Sequence, residues 1–353
     1  MGFTVLPHRA RYSVRRERGQ VMPKQVRGPS MHDVAARAGV SHQTVSRVLN
    51  HHPSLRPETR DRVLAAITEL GYRRNLAARA LVTGRTQTIG MVGPDTADIG
   101  PLSTLHAIEK AAREAGMSTL MTSAEPARAQ VLETVEFLLG RGVDALAVAA
   151  QQSEITMAID QLNLDVPVVH LLAGDQDVTL AASVDQQAGV RMALGHLRDL
   201  GHERIQHISG PLTFGEARSR RATFEAFIAS EGLELLPILE GDWTADSGYA
   251  AGRDVAAEAT AVLCGNDQMA FGLIHALHDR GVSVPREVSV VGFDDTAEAR
   301  HSLPPLTTVS QDFAAVGRAA VGLIVARLAG SDDAAPLIQP ELLVRESTAP
   351  ARG

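Results

Sequence analysis

Thirteen histidines and a single cysteine have the most obvious claim to chemistry in this 353-residue chain. No histidine stands in a His-Glu-x-x-His zinc motif and no serine in a Gly-x-Ser-x-Gly elbow. His51-His52 follow an apolar run and precede Pro53, the setting of a loop. Cys264 sits in the apolar run Ala261–Gly265 and reads as core rather than nucleophile. A lone cysteine also rules out an internal disulfide and a four-thiolate metal site. Gly90-Met-Val-Gly93 lacks the lysine and the Ser/Thr of a phosphate loop. The chain is therefore expected to hold no catalytic set, no metal and no cofactor.

A different chemistry is carried by His42, Gln43, Ser46 and Arg47, whose spacing puts them on one face of a helix. The Gln43 amide both donates and accepts, as the major-groove edge of adenine requires, and the Arg47 fork matches guanine. Val45, Val48 and Leu49 face the other way, and Ser41 has the side chain to cap this helix. The element before it opens with Ser30-Met31-His32-Asp33, in the form of a capping box, and buries Val34, Ala35 and Ala38. Gly39 then tolerates the left-handed turn between the two helices. A third helix runs from Pro57 to Leu70, with proline in its first turn and Gly71 at its end. The order is that of a helix-turn-helix.

The net charge of −7 conceals two unlike parts. Residues 1–85 hold sixteen Lys and Arg against five Asp and Glu, while the rest hold eighteen against thirty-six. A basic head suits a polyanion, and an acidic body must do something else. Residues 1–29 have no periodicity and read as a disordered basic arm, or as an upstream extension with Met22 as an alternative start. From Thr88 onward, apolar runs alternate with helical patterns. Strands are expected at Thr88–Val92, Thr119–Thr122, Ala145–Ala149, Val168–Leu172, Ile205–Gly210, Ala261–Gly265 and Val288–Phe293, with helices at Pro101–Gly116 and Ala127–Gly140. Continuous apolar strands separated by helices indicate parallel sheets covered on both faces, and the run is long enough for two side-by-side lobes. No apolar stretch suits a membrane helix and the first residues lack a signal peptide's apolar core, so a cytoplasmic, nucleoid-associated protein is expected.

The segment Asp33-Val-Ala-Ala-Arg-Ala-Gly-Val-Ser-His-Gln-Thr-Val-Ser-Arg-Val-Leu-Asn50 resembles the signature of the lactose-repressor (LacI/GalR) family. The likeness continues through Gly71-Tyr72 and Asn75-Leu-Ala-Ala-Arg-Ala-Leu81. It implies that Ser41, His42, Gln43, Thr44, Ser46, Arg47 and Asn50 meet DNA. It also implies that Asn75, Ala78 and Leu81 lie on a hinge helix that folds in the minor groove, where Leu81 wedges into a base step. In the body, five segments resemble the family's core, nearer to its lactose-responsive member than to its purine-responsive ones. These are His202-Glu-Arg-Ile-Gln-His-Ile-Ser-Gly-Pro211, Glu240-Gly-Asp-Trp-Thr244, Cys264-Gly-Asn-Asp-Gln-Met-Ala270, Ser289-Val-Val-Gly-Phe-Asp-Asp-Thr296 and Pro304-Pro-Leu-Thr-Thr-Val-Ser-Gln-Asp-Phe313.

The implied fold is a small all-α helix-turn-helix head plus an α/β, periplasmic-binding-protein-like body of two doubly wound lobes joined by three crossover strands. The expected division is an arm at 1–29, the head at 30–73, hinge and linker at 74–87, and an effector-binding and dimerisation body at 88–353. The implied effector residues are Pro101, Arg220, Trp243, Asn266, Asp294, Gln311 and Phe313, in a cleft at the carboxyl ends of strands. Asn266 and Asp294 offer directional polar groups to ring hydroxyls, Arg220 a planar fork, and Trp243 a face for a pyranose. Asp294 also has the chemistry of a helix cap and Trp243 that of core; Asp267 and Asp295 read as caps. The likeness lapses at Leu172 and over Pro94 to Ile99, where Asp95 and Asp98 occur.

Together these imply a repressor of carbohydrate-use genes, released from a pseudo-palindromic double-stranded operator by a sugar inducer, galactoside-like in kind. Aromatics make up only 3% of the chain, against a base sandwiched between rings. A relative using a purine or other metabolite as corepressor is the alternative. A solute-binding protein would share the body but not the head. A homodimer is expected and no larger assembly, because no leucine-heptad tail follows the last expected strand, Leu342–Arg345.

Overall fold

The computed structural model describes residues 28–352 apart from 51, 53, 54, 74–79, 82, 95–98, 126, 150, 151, 163, 173–177 and 179. The expected arm up to residue 27, the hinge residues Asn75 and Ala78, and Asp95 and Asp98 therefore lie outside the described residues. The chain forms two compact units, the first ending at Leu76 and the second beginning at Ala77.

Three helices build the first unit: α1 (Met31–Ala38), α2 (His42–Leu49) and α3 (Pro57–Leu70). The Ser30 side chain accepts from the Asp33 amide while Asp33 accepts from the Ser30 amide, so the capping box is complete. Gly39 sits at φ 63°, and its N–H and that of Val40 close the end of α1. Ser41 caps α2 by accepting from the Thr44 amide. Val34, Ala35, Ala38, Val45, Val48, Val63, Ala66 and Tyr72 form one small core, and an Arg37–Glu69 ion pair ties α1 to α3.

In the second unit, a five-stranded parallel sheet has the order β2-β1-β3-β4-β5, from β1 (Thr88–Pro94), β2 (Ser118–Ala124), β3 (Ala145–Val148), β4 (Val168–Leu171) and β5 (Ala181–Ala182). Helices α4 (Ile99–Glu114), α5 (Arg128–Gly140) and α6 (Ser153–Asp160) connect the first four. The second sheet has the order β11-β10-β9-β8-β6-β7, with β6 (Ile205–Ser209), β7 (Leu239–Glu240), β8 (Ala261–Cys264), β9 (Ser289–Asp294), β10 (Thr307–Ser310) and β11 (Glu341–Leu343). It carries α7 (Gln186–Asp199), α8 (Gly215–Ser230), α9 (Ala245–Ala251) and α10 (Asp267–Asp279); only β11 is antiparallel. The last helix, α11 (Phe313–Leu328), follows β10 of the second sheet yet packs against α4 and β4 of the first. Its Val316, Ala320, Leu323 and Ile324 belong to the first lobe's core. The chain thus passes between lobes after β5, after β10 and before β11. The first and third passages pair through a parallel Val184–Ile338 bridge.

Several boundaries differ from expectation. Helix α4 begins at Ile99 rather than Pro101, because proline is tolerated in a first turn that needs no amide donor. The last strand is Glu341–Leu343 rather than Leu342–Arg345. Arg345 leaves the ladder: its amide donates to Thr307 Oγ1, and its guanidinium reaches the Leu306 carbonyl and Asp295. Asp295 is therefore an ion-pair partner, not a cap. Among the described residues no helix is long and apolar enough to cross a membrane.

Candidate functional site

The exposed face of α2 carries His42, Gln43 and Arg47, with Ser46 half-buried beside them. Burying Val45 and Val48 on the opposite side fixes which face points outward. Ser41 and Thr44 pair their hydroxyls at 2.9 Å, and Asn50 ends the helix while its amide donates to Ser46 Oγ. None of these local bonds involves Gln43 or Arg47. The ring of His42 stacks on that of His32 in α1 at 4.7 Å. In the second unit, Ala80, Leu81 and Thr83 are helical, the Gly84 amide closes on the Ala80 carbonyl, and Leu81 is 89% exposed. An isobutyl group that exposed finds no apolar cover among the described residues of its own unit.

All seven expected effector residues, Pro101, Arg220, Trp243, Asn266, Asp294, Gln311 and Phe313, line a single cavity of about 660 Å³. Ile99, Gly100, Pro101 and Leu172 line it from the first lobe, and Phe313 from the start of α11. Pro211, Phe214, Glu216, Arg220, Asn266 and Asp294 line it from the second lobe, most of them just beyond strand ends or in the first turns of helices. Trp243 stands at φ 74°, its six-membered ring against Gly210, where an added Cβ would lie 2.1 Å from the indole. It meets Phe214 edge-on at 5.9 Å, and its carbonyl accepts from Asn266 Nδ2. Asn266 is also the N-cap of α10. Trp243 is half-buried, packing on the core and lining the cavity at once.

Beneath the cavity runs a hydrogen-bonded network. Gln311 Nε2 donates to Asp294 at 2.6 Å, and Gln311 Oε1 accepts from Gln186 Nε2 at 2.9 Å. Gln186 also donates to Glu216 at 3.1 Å and accepts from Arg220 Nε at 2.8 Å. Arg220 Nη1 donates to the Gly265 carbonyl, and its guanidinium lies 3.9 Å over the Phe293 ring. Burial pushes Glu216 up to about 7, with Arg220 opposing and Asp294 reinforcing. Asp267 is likewise driven up to about 7, first by burial and then by Asp294.

The cap readings of Asp294 and Asp267 are corrected. No helix follows Asp294, which stands at φ 113° and accepts from Gln311. Asp267 leaves the cap position to Asn266 and joins the strand ends, accepting from Thr308 Oγ1 at 2.6 Å and the Thr296 amide at 2.8 Å. Its carboxylate fits because position 292 is glycine: a Cβ there would lie 2.2 Å from Asp267 Oδ1. Three of the five non-glycine residues with positive φ among those described, Leu172, Trp243 and Asp294, line the cavity. Strain of that kind, about 1–3 kcal/mol each, persists only where the surroundings over-determine it.

Glu216, Phe214, Asp242, Gln268 and the buried junction Gln186 were not singled out from the sequence. Glu216 had a signal, since it precedes Arg220 by one helical turn on the same face. The scarcity of aromatics does not hold locally, because Phe214, Trp243 and Phe313 all reach the cavity. The edge-on Phe214–Trp243 pair is nevertheless not a parallel sandwich. Cys264 is wholly buried, and burial pushes its thiol up, as for a core residue.

A helix-turn-helix in one unit and a two-lobed α/β clamp in the other define the class of ligand-responsive transcription regulators. The lacI family of bacterial regulatory proteins matches residues 30–75, and a periplasmic binding protein-like domain matches residues 194–348. The lactose operon repressor of Escherichia coli strain K12 is 32% identical over 324 residues, covering 90% of each chain. The crystal structure of the lac repressor dimer bound to operator and the anti-inducer ONPF superposes with a TM-score of 0.82 at 31% identity, over 92% of this chain and all of that one. A transcriptional regulator CelR–cellobiose complex superposes with a TM-score of 0.67 at 30% identity, over 90% and 99%. The chain belongs to the lacI family of bacterial regulatory proteins, and is a transcription regulator rather than an enzyme.

Proposed function

We propose that this chain is a cytoplasmic, nucleoid-associated repressor that binds a pseudo-palindromic operator as a homodimer and releases it when a sugar fills the cleft between its lobes. The observation that carries the reading is the assembly of Pro101, Arg220, Trp243, Asn266, Asp294, Gln311 and Phe313 around one cavity to which both lobes contribute. An aromatic platform beside directional amide and carboxylate groups suits a ring with an apolar face and equatorial hydroxyls. Gln43 and Arg47 read bases in the major groove, with Ser41, His42, Thr44, Ser46 and Asn50 around them, while Leu81 wedges into the minor groove beside Asn75 and Ala78. The operator- and cellobiose-bound structures of the relatives support both halves.

The network also gives the cleft a route to the rest of the fold. Gln186 lies just past the first passage between the lobes and Gln311 at the second, and they hydrogen-bond each other directly. A ligand held by Asp294 bears on Gln311 at the second passage and through it on Gln186 at the first, and so on the relative placement of the lobes. For the dimer, Leu303 is 88% exposed beside a groove floored by Phe271 and Ile274. A knob and a hole on one face are what a two-fold, self-complementary contact requires.

The test is to select duplexes from a random pool with the full chain, then titrate the bound consensus with galactosides, glucosides and hypoxanthine while following DNA anisotropy. Release by a sugar is expected. Tightening by hypoxanthine would replace the inducer reading with a corepressor one.

A further inference from the structure

The cation of the cleft is already engaged. Arg220 is 3% exposed, gives Nη1 to the Gly265 carbonyl and Nε to Gln186, and lies over the Phe293 ring at 3.9 Å and the Trp243 ring at 5.7 Å. It is the sole Lys or Arg among the described residues lining the cavity, against the carboxylic acids Glu216, Asp242 and Asp294. A second groove of about 710 Å³ shares Ile99, Asp294, Gln311 and Phe313 with the cavity. It adds Asp295, Glu298, Asp312 and Glu341 without adding a base. Of these, Asp295 is paired with Arg345 and Asp312 with Arg318, which softens the field without reversing it. Apolar walls at Leu172, Phe214 and Phe313 keep the dielectric low, so the carboxylates are poorly screened from a bound ligand.

Resting on the reading of the cleft as the effector site, we infer that this regulator responds to an uncharged saccharide and rejects anionic ones, with Glu216 and Asp294 as the specificity-determining residues. A phosphate ester or a uronic acid brought to this cavity finds no donor fork, because Arg220 is turned inward onto backbone and glutamine. Its charge instead faces Glu216 and Asp294. A neutral sugar meets the same carboxylates as hydrogen-bond acceptors for its hydroxyls, the favourable use of a buried acid. One pair of residues therefore both attracts hydroxyls and excludes charge, an arrangement that sets specificity by penalising the wrong ligand.

The experiment is isothermal titration calorimetry on the full chain at pH 8 with lactose, cellobiose and maltose, each beside its 6-phosphate. Binding of a neutral disaccharide on the order of a hundredfold tighter than its phosphate supports the inference, the range expected for like charges brought together at a poorly screened site. A Glu216→Gln, Asp294→Asn double variant, which keeps side-chain volume, is then expected to lose affinity for the neutral sugar and to narrow the ratio at least tenfold. Equal or tighter binding of a phosphate by the wild-type chain overturns the inference while leaving the clamp standing. A ratio unchanged in the variant overturns the assignment to these two residues. Binding of neither class to either protein removes the clamp reading itself, and the inference with it.

Discussion

Arg47 and Glu216 act in opposite settings, one in solvent and one in the core. Arg47 extends from the exposed face of α2, so its effect is local: Arg47→Ala is expected to cost about 1–3 kcal/mol of operator binding and to relax discrimination at one base pair. A specificity profile of the selected operator checks this, and unchanged discrimination would refute the assignment. Asp294→Ala is expected to abolish release by sugar while operator binding persists, read by the same anisotropy titration. Glu216 acts through burial. Its pKa near 7 stands above that of an unfolded glutamate, so the folded body retains a proton that the unfolded chain gives up. Stability from this source is full at low pH and falls as pH rises from about 4.5 through about 7. Asp267 has the same sign. Glu216→Gln is therefore expected to flatten the decline of Tm over that window without abolishing it, leaving the part that Asp267 contributes. Of these residues, the outward placement of Arg47 and the place of Asp294 at a strand end were legible in the sequence, because helix periodicity and an apolar run are local signals. Asp267 was misread as a cap, since its partners Thr296 and Thr308 come from other strands' ends and no local spacing announces them.

The elements were legible to the extent that their signals are local. Capping by Ser30 and Ser41, the turn at Gly39 and the stop at Gly71 depend on neighbours within four residues, and α1, α2 and α3 formed as read. Ser41→Ala is expected to remove about 1 kcal/mol from the head, measurable by urea denaturation. Long apolar strands were legible too. The two-residue strands β5 and β7 were not, because pairing with β4 and β6 creates them rather than any run of their own. The short helix around Leu81 gives the sharpest test at this scale. An 89% exposed leucine there contributes little to the folded body, so Leu81→Ala is expected to leave thermal stability near wild type. The same change is expected to weaken binding to the selected operator and to spare binding to random duplex. Equal loss on both duplexes would sink the wedge.

At the scale of the whole molecule, effector and operator are expected to be coupled by about 1–3 kcal/mol, so an inducer that weakens operator binding must itself bind less tightly to the operator complex by the same factor. The two-lobed body was legible because one sheet could not hold so many alternations. Which lobe each segment joins was implied only by the resemblance and its three crossover strands, since nothing in the composition of Phe313–Leu328 says that it returns to the first lobe after β10 has completed its place in the second. That return has a consequence for how the protein is born. On the ribosome, the strands of the first lobe have all been synthesised by Ala182, and α4 can already cover β1 and β2, but the helix that packs beside α4 and covers β4 and β5 does not begin until Phe313. At about 5–20 residues per second, that part of the sheet's face stays uncovered for on the order of ten seconds while the second lobe is still being made. Nascent chains arrested before residue 313 are expected to be cut readily within residues 88–182, and chains released after residue 328 to resist. The first lobe to be translated is then not the first to be finished, and a nonsense mutation late in the gene strips the core of the earliest part of the body.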